Sequence, residues 1–232
     1  MAYRSRSLRL MTVTRLMTVT VGVLLLGPAV TAQAAIRQAA PVTVSDWAGY
    51  VAHSATYSSV TSTWAEPAVS CGSAESSAAF WVGLDGYSDS TVEQIGTEVD
   101  CVGGVAAQDA WYEVYPAAPV YVGRTVEAGD VMTATVTATT ADVFTLSIRN
   151  ATEGWTFTAT KTVTGAARSS AEVVLEAPST AGLRAGTVSF SNARVNGGTL
   201  AASDPTGIGT GTGAGPHCGA ISANGTAFTC TW

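Results

Sequence analysis

The stretch Met132-Thr133-Ala134-Thr135-Val136-Thr137-Ala138-Thr139 alternates apolar residues with threonine at every step. A period of two marks a β-strand with one face on a core and the other in water. Outward along the chain the same alternation returns in Phe144, Leu146 and Ile148. It recurs in Trp155 and Phe157 set against Thr156, Thr158 and Thr160. Threonine favours strands, and 33 threonines spread that bias over the chain. Gly-Gly, Asn-Gly and Pro-containing turns punctuate short strands, and no stretch sustains a helical period with caps. The residues therefore predict an all-β fold, an antiparallel two-sheet sandwich or a barrel. The Gly- and Thr-rich stretch from Thr206 to Gly215 reads as a loop.

The N-terminus follows other rules. Residues 1–16 carry Arg4, Arg6, Arg9 and Arg15 and no acid, an apolar run extends from Met17 to Val30, and Ala32-Gln33-Ala34 follows. That order predicts a secretory signal peptide over 1–34, a short segment over 35–45 and one domain over 46–232. The apolar run falls short of the ~20 residues of a spanning helix, and Gly27-Pro28 breaks it. The expectation is a secreted, soluble monomer.

Only 12% of the chain is charged, against about 25% in ordinary soluble domains. Beyond residue 34, seven basic residues face 17 acids, a net charge of −10, and Lys161 is the only lysine. Nucleic acid and anionic membranes, both held by clustered Lys and Arg, are poor partners for such a chain. His53 and His217 are the only histidines and no CxxC pair occurs, so neither a metal nor a cofactor is expected. Four cysteines in an exported chain read as two disulfides with three possible pairings. Cys71–Cys101 with Cys218–Cys230 is preferred, since each pair would brace adjacent strands.

Four segments break the plain alternation: Ser45–Tyr50, Ala79–Gly86 with Thr91–Gly96, Ala110–Pro116, and Ser170–Pro178. Strand parity puts Trp81, Gly83 and Asp85 on one face, Trp111, Glu113 and Tyr115 on one face, and Glu172, Val174 and Glu176 on one face. An acid alone on such a face commonly just solvates it. Acids grouped with large aromatics suit a binding groove instead.

At these segments the chain resembles the glutamic peptidases, or eqolisins, which are secreted acid endopeptidases. The matching pieces are Asp46-Trp47-Ala48-Gly49-Tyr50, Phe80-Trp81-Val82-Gly83-Leu84-Asp85-Gly86, the turn Gln94-Ile95-Gly96, Asp109 to Pro116, and Ala171-Glu172-Val173-Val174-Leu175-Glu176. They stand in family order at similar spacing over about residues 46–179. The resemblance implies a concanavalin-like β-sandwich with the active site on a concave face. It implies Gln94 and Glu176 as the catalytic pair, with Trp47, Trp81, Asp85, Asp109, Glu113 and Tyr115 lining or supporting the cleft. Val173 departs from the family's usual bulky aromatic. About eleven residues separate the expected signal peptide from the Trp47 segment, so the longer propeptide of fungal members is expected to be absent or vestigial.

The implied chemistry is peptide hydrolysis without a covalent intermediate. Ionised Glu176 would accept a proton from water and return it to the leaving amine. The Gln94 amide would donate to the developing oxyanion. A free Glu titrates at about 4.3, so little perturbation of Glu176 predicts activity in acid and little near neutrality. The alternatives from another class are a lectin-like module, or a glycoside hydrolase with Glu113 and Glu176 as paired carboxylates.

Overall fold

The computed structural model describes residues 46–179, 183–209 and 215–232. The expected signal peptide and the 35–45 segment lie outside these residues, as does 210–214 of the expected loop. The described residues form strands numbered here in chain order, and a short 3-10 helix at Leu200–Ser203.

One sheet runs in the order β15 (Thr206–Ile208), β1 (Trp47–Ala52), β11 (Ala171–Ser179), β4 (Ser76–Leu84), β5 (Val92–Val102), β6 (Val105–Tyr115) and β7 (Val120–Tyr121). The second runs β10 (Trp155–Thr162), β9 (Val143–Asn150), β8 (Val131–Ala138), β2 (Ser59–Ala65), β13 (Thr187–Val195), β17 (Phe228–Thr231) and β16 (His217–Cys218), with β14 (Gly198–Thr199) on β13. A small third sheet pairs β12 (Leu183–Arg184) with β3 (Ser70–Cys71). Neighbouring strands are antiparallel throughout.

The two large sheets close one core. Phe80, Val82, Leu84 and Ile95 enter it from the first sheet, and Trp64, Met132, Val136, Phe144, Leu146, Ile148 and Phe190 from the second. Each such side chain contributes about 1.5–3 kcal/mol on burial. The deciding stretch falls in β8 as its alternation requires. Met132, Ala134 and Val136 are fully buried, while Thr133, Thr135 and Thr137 alternate with them towards the outside. On that outer face Thr61 and Thr135 share a hydroxyl hydrogen bond of 2.8 Å, and Thr63 and Thr133 one of 3.0 Å.

Three local expectations change. Gln94-Ile95-Gly96 is no turn but the interior of β5, a strand of 11 residues paired along its length with β6. Glycine at position 96 serves close packing there, because a Cβ would stand 2.2 Å from the Phe80 carbonyl and 2.5 Å from Trp81 Cβ. Thr206–Ile208 is an edge strand paired to β1 rather than loop. Both expected disulfides are present. Cys218–Cys230 spans the directly paired β16 and β17, whereas Cys71–Cys101 ties the small third sheet to β5 instead of bracing neighbours.

Candidate active site

The outer face of the first sheet is organised as rungs across β11, β4 and β5. Glu176, Ala79 and Glu98 lie opposite one another, then Val174, Trp81 and Gly96, then Glu172, Gly83 and Gln94. Trp81 is the centre of this three-by-three grid. Glu176 and Gln94 occupy one pair of opposite corners, Glu98 and Glu172 the other. On the flanks, β1 sets Trp47 opposite Glu176, and β6 sets Asp109, Trp111 and Glu113 opposite Glu98, Gly96 and Gln94.

Most of this face is not wet. Trp47, Trp81, Trp111 and Val174 form an apolar cluster of their own, separate from the main core. Trp47 meets Trp81 edge-on with centroids 4.7 Å apart. This tryptophan floor lies under a cleft of about 180 Å³ lined by Gln94, Glu98, Trp111, Glu113 and Glu176, walled by Ser77, Ala78, Ala79, Pro119 and Pro178. The cleft thus brings together both members of the expected catalytic pair, and Glu113 with them.

The polar contacts in the cleft are few and directional. Trp81 Nε1 donates to Glu176 Oε2 at 3.0 Å. Gln94 Nε2 donates to Glu113 Oε2 at 2.5 Å. A carboxylate can only accept, so ionised Glu113 fixes the nitrogen end of the amide toward itself. Gln94 Oε1 and Trp111 Nε1 are buried and lack a protein hydrogen-bond partner.

Burial pushes the Glu176 carboxyl up to about 7. The Asp46 and Glu113 charges push the same way, and the hydrogen bonds from Trp81 and Trp47 oppose it. The sequence expectation of a nearly unperturbed carboxylate is therefore corrected: in acid, Glu176 holds its proton. Glu113 is also raised by burial, with the Gln94 hydrogen bond pulling it down. Glu98 is raised by burial against the pull of the Tyr121 hydroxyl.

The other expected residues divide. Trp47 and Trp81 belong to the floor. Asp109 lies beyond Glu98 in the first rung, and Tyr115 ends β6 opposite Val92; neither is part of the cleft wall. Asp85 is not at the cleft. It is fully buried with φ 67° where β4 ends, and it accepts from the backbone N–H of Arg168 at 2.8 Å and of Ser169 at 2.6 Å. The parity argument fails for it because a positive φ takes the residue out of the pleat. Asp85 instead anchors the chain just before β11, the strand that carries Glu176.

Glu172 departs most from a solvated acid. It is wholly buried, and burial raises its carboxyl well above the ordinary range. Glu93 is likewise buried and pushed up to about 8 by burial and by the Asp85 and Asp89 charges. Neither carboxyl has a hydrogen bond of ordinary geometry. Among the described residues no group of three or more His, Cys, Asp or Glu side chains could hold a metal ion. Glu98 escaped the sequence reading, although it is four residues from Gln94 on the same strand and so shares its face.

Comparison with known proteins follows the same line. A family model described as the Peptidase A4 family matches residues 45–232. Aspergillopepsin-2 of Aspergillus niger is 32% identical over 137 residues, half of this chain. The chain spans about half the length of that curated relative. Among solved structures, scytalido-glutamic peptidase with a transition state analog inhibitor superposes with a TM-score of 0.70 at 22% identity, over 81% of this chain and 98% of that one. SCP-B, a member of the eqolisin family in complex with the tripeptide Ala-Ile-His, gives 0.64 at 22% identity, with the same shares covered. Aspergilloglutamic peptidase from Aspergillus niger gives 0.56 at 29% identity, over 67% of this chain and 98% of that one.

Proposed function

The chain belongs to the Peptidase A4 family, and from that premise we propose that it is a secreted endopeptidase that cleaves proteins and peptides in acid through Gln94 and Glu176. The observation that carries this reading is one cleft with both side chains in its wall, the Glu176 carboxyl pushed up to about 7 by burial and the Gln94 amide held by Glu113.

With its proton retained in acid, Glu176 enters the cycle as an acid. It donates to the scissile carbonyl oxygen as water adds to the carbon, and the resulting carboxylate takes the proton that the water releases. Gln94 Oε1 accepts a hydrogen bond from that water. The amide N–H not engaged by Glu113 donates to the oxygen on which charge develops. Glu176 then protonates the leaving nitrogen, the C–N bond breaks as one hydroxyl of the adduct gives its proton back to Glu176 and becomes the carbonyl of the new carboxyl group, and no bond is ever made to the protein. The tryptophan floor keeps bulk water from the Glu176 side of the cleft, which strengthens each of these contacts. Two disulfides and the expected signal peptide fit an exported chain.

The test is hydrolysis of casein from pH 2 to 8 by the native chain, Gln94→Ala and Glu176→Gln. Activity in acid that falls as pH approaches 7 is expected, because Glu176 then loses the proton it must give. Both variants should lose at least about a thousandfold while melting like the native chain. Full proteolysis in either variant would overturn the assignment.

A further inference from the structure

Glu176 and Gln94 sit on strands separated by β4, at opposite corners of the grid, and Trp81 lies between them. Its indole reaches toward Glu176 at one end and over Gly83, beside Gln94, at the other. Nε1 reaches Glu176 Oε2 at 3.0 Å. The far edge of the six-membered ring lies over Gly83: a Cβ on Gly83 would stand 2.9 Å from Trp81 Cζ3, 3.4 Å from Cε3 and 3.3 Å from Gln94 Cβ. The ring thus fills the space where a side chain at 83 would project, the same space that the Cβ of Gln94 borders. From outside, the edge-on Trp47 ring prevents it from swinging away, and Trp81 has no exposed surface.

Resting on the catalytic reading above, we infer that Trp81, seated on the bare backbone of Gly83, is a rigid spacer that sets where Glu176 stands relative to Gln94. Neither Trp81 nor Gly83 handles a proton in this arrangement; both are positioning residues. The physical reason is economy of freedom. Glu176 has three rotatable side-chain bonds and Gln94 as many, and two such groups on separate strands do not converge on one water unless something fixes both. A fully buried indole, planar and without internal torsions in the ring, does this with one hydrogen bond to Glu176 and a seat on the backbone beside Gln94. Glycine at 83 is required by the seat and not by the backbone, since the residue has no positive φ.

Gly83→Ala, Trp81→Phe and the double variant test the inference, with Glu176→Gln as reference. Gly83→Ala should lower kcat about a hundredfold, the cost of an ångström-scale misplacement, with KM within about threefold. The pH at which kcat falls on the alkaline side should rise, because the Trp81 hydrogen bond that holds the Glu176 carboxyl down is lost with the ring's position. Trp81→Phe removes that N–H outright and should move the same limb upward. In the double variant the smaller ring leaves room for the new methyl group, so its melting temperature should match that of Trp81→Phe alone. That non-additivity tests the seat even where Gly83→Ala alone fails to fold.

Additive losses of melting temperature, or a folded Gly83→Ala with native kcat and an unmoved alkaline limb, would overturn the spacer. If Glu176→Gln is inactive in the same assays, only the spacer falls. If Glu176→Gln retains full activity, the catalytic reading itself falls.

Discussion

Both large sheets turn one face outward, and the two faces follow opposite rules. The second sheet presents hydroxyls that bond to one another across the strands: Thr61 to Thr135, Thr63 to Thr133, Thr158 to Ser147. The first presents tryptophans over which single polar atoms stand without protein partners, Gln94 Oε1 and Trp111 Nε1 among them, and at its end lies the buried carboxyl of Glu172. Strand alternation decides which residues face outward, but not whether their polar atoms are satisfied. A paired hydroxyl lattice asks nothing of a ligand, whereas a buried polar group left open costs about 1–3 kcal/mol until something fills its valence.

The largest expected effect concerns acid, and of its carboxyls only Glu172 belongs to the first sheet's outer face. Glu66, Glu93 and Glu172 are buried, and burial holds the first at about 7, the second at about 8 and the third well above the ordinary range. Their folded pKa values lie above the unfolded ones, so the folded chain binds more protons. The stability they contribute is fully present below about pH 4.3 and is lost as pH climbs through 7 and 8. Thermal unfolding followed from pH 3 to 8 should show a melting temperature that falls steadily above about pH 4.5. Glu93→Gln should flatten the curve, and a curve flat in the native chain would contradict the burial of these groups.

A smaller effect separates Glu113 from the catalytic pair. Glu113→Gln keeps a hydrogen-bonding side chain beside Gln94 but no longer dictates which end of the amide faces it. The expected outcome is a drop in kcat of about ten- to a hundredfold, largest where Glu113 is ionised, with nearly native melting. Removing the Glu113 charge should also move the alkaline limb downward, since that charge helps raise Glu176. Steady-state kinetics across pH would measure both.

The smallest effect is expected on the hydroxyl face. Replacing Thr61 and Thr135 together with valine removes both partners of one bond and keeps the β-branched shape. Stability should change by less than about 1 kcal/mol, and casein hydrolysis in acid should not change at all. A loss of activity there would erase the division between the two faces.

The sandwich was legible because threonine alternation in β8, β9 and β10 is a local signal that burial merely confirms: Met132, Phe144 and Leu146 point inward where parity puts them. Parity likewise grouped Trp111 with Glu113 and Glu172 with Glu176 within their strands, and the strand register joins these faces to that of Trp81. It failed where geometry departs from an ideal strand, as at Asp85 with its positive φ. It was also silent on depth. Glu172 and Glu176 share a face, yet one is sealed off and the other opens on the cleft, because Trp81, Gly83 and the loop before β11 decide that jointly across distant segments. For the same reason the position of the Glu176 proton could not be read from its residue type. Burial by Trp47 and Trp81 is a property of three strands together.

The lattice of paired hydroxyls has one more consequence, a colloidal one. Beyond residue 34 the chain carries 17 acids against seven basic residues, so a chain that works in acid, as proposed, passes through zero net charge within its own working range. Repulsion between molecules vanishes there, and surfaces that rely on charge for hydration begin to stick. Threonine hydroxyls do not titrate. The broad outer face of the second sheet therefore stays equally hydrated on both sides of that point, and keeps the molecules dispersed where charge cannot.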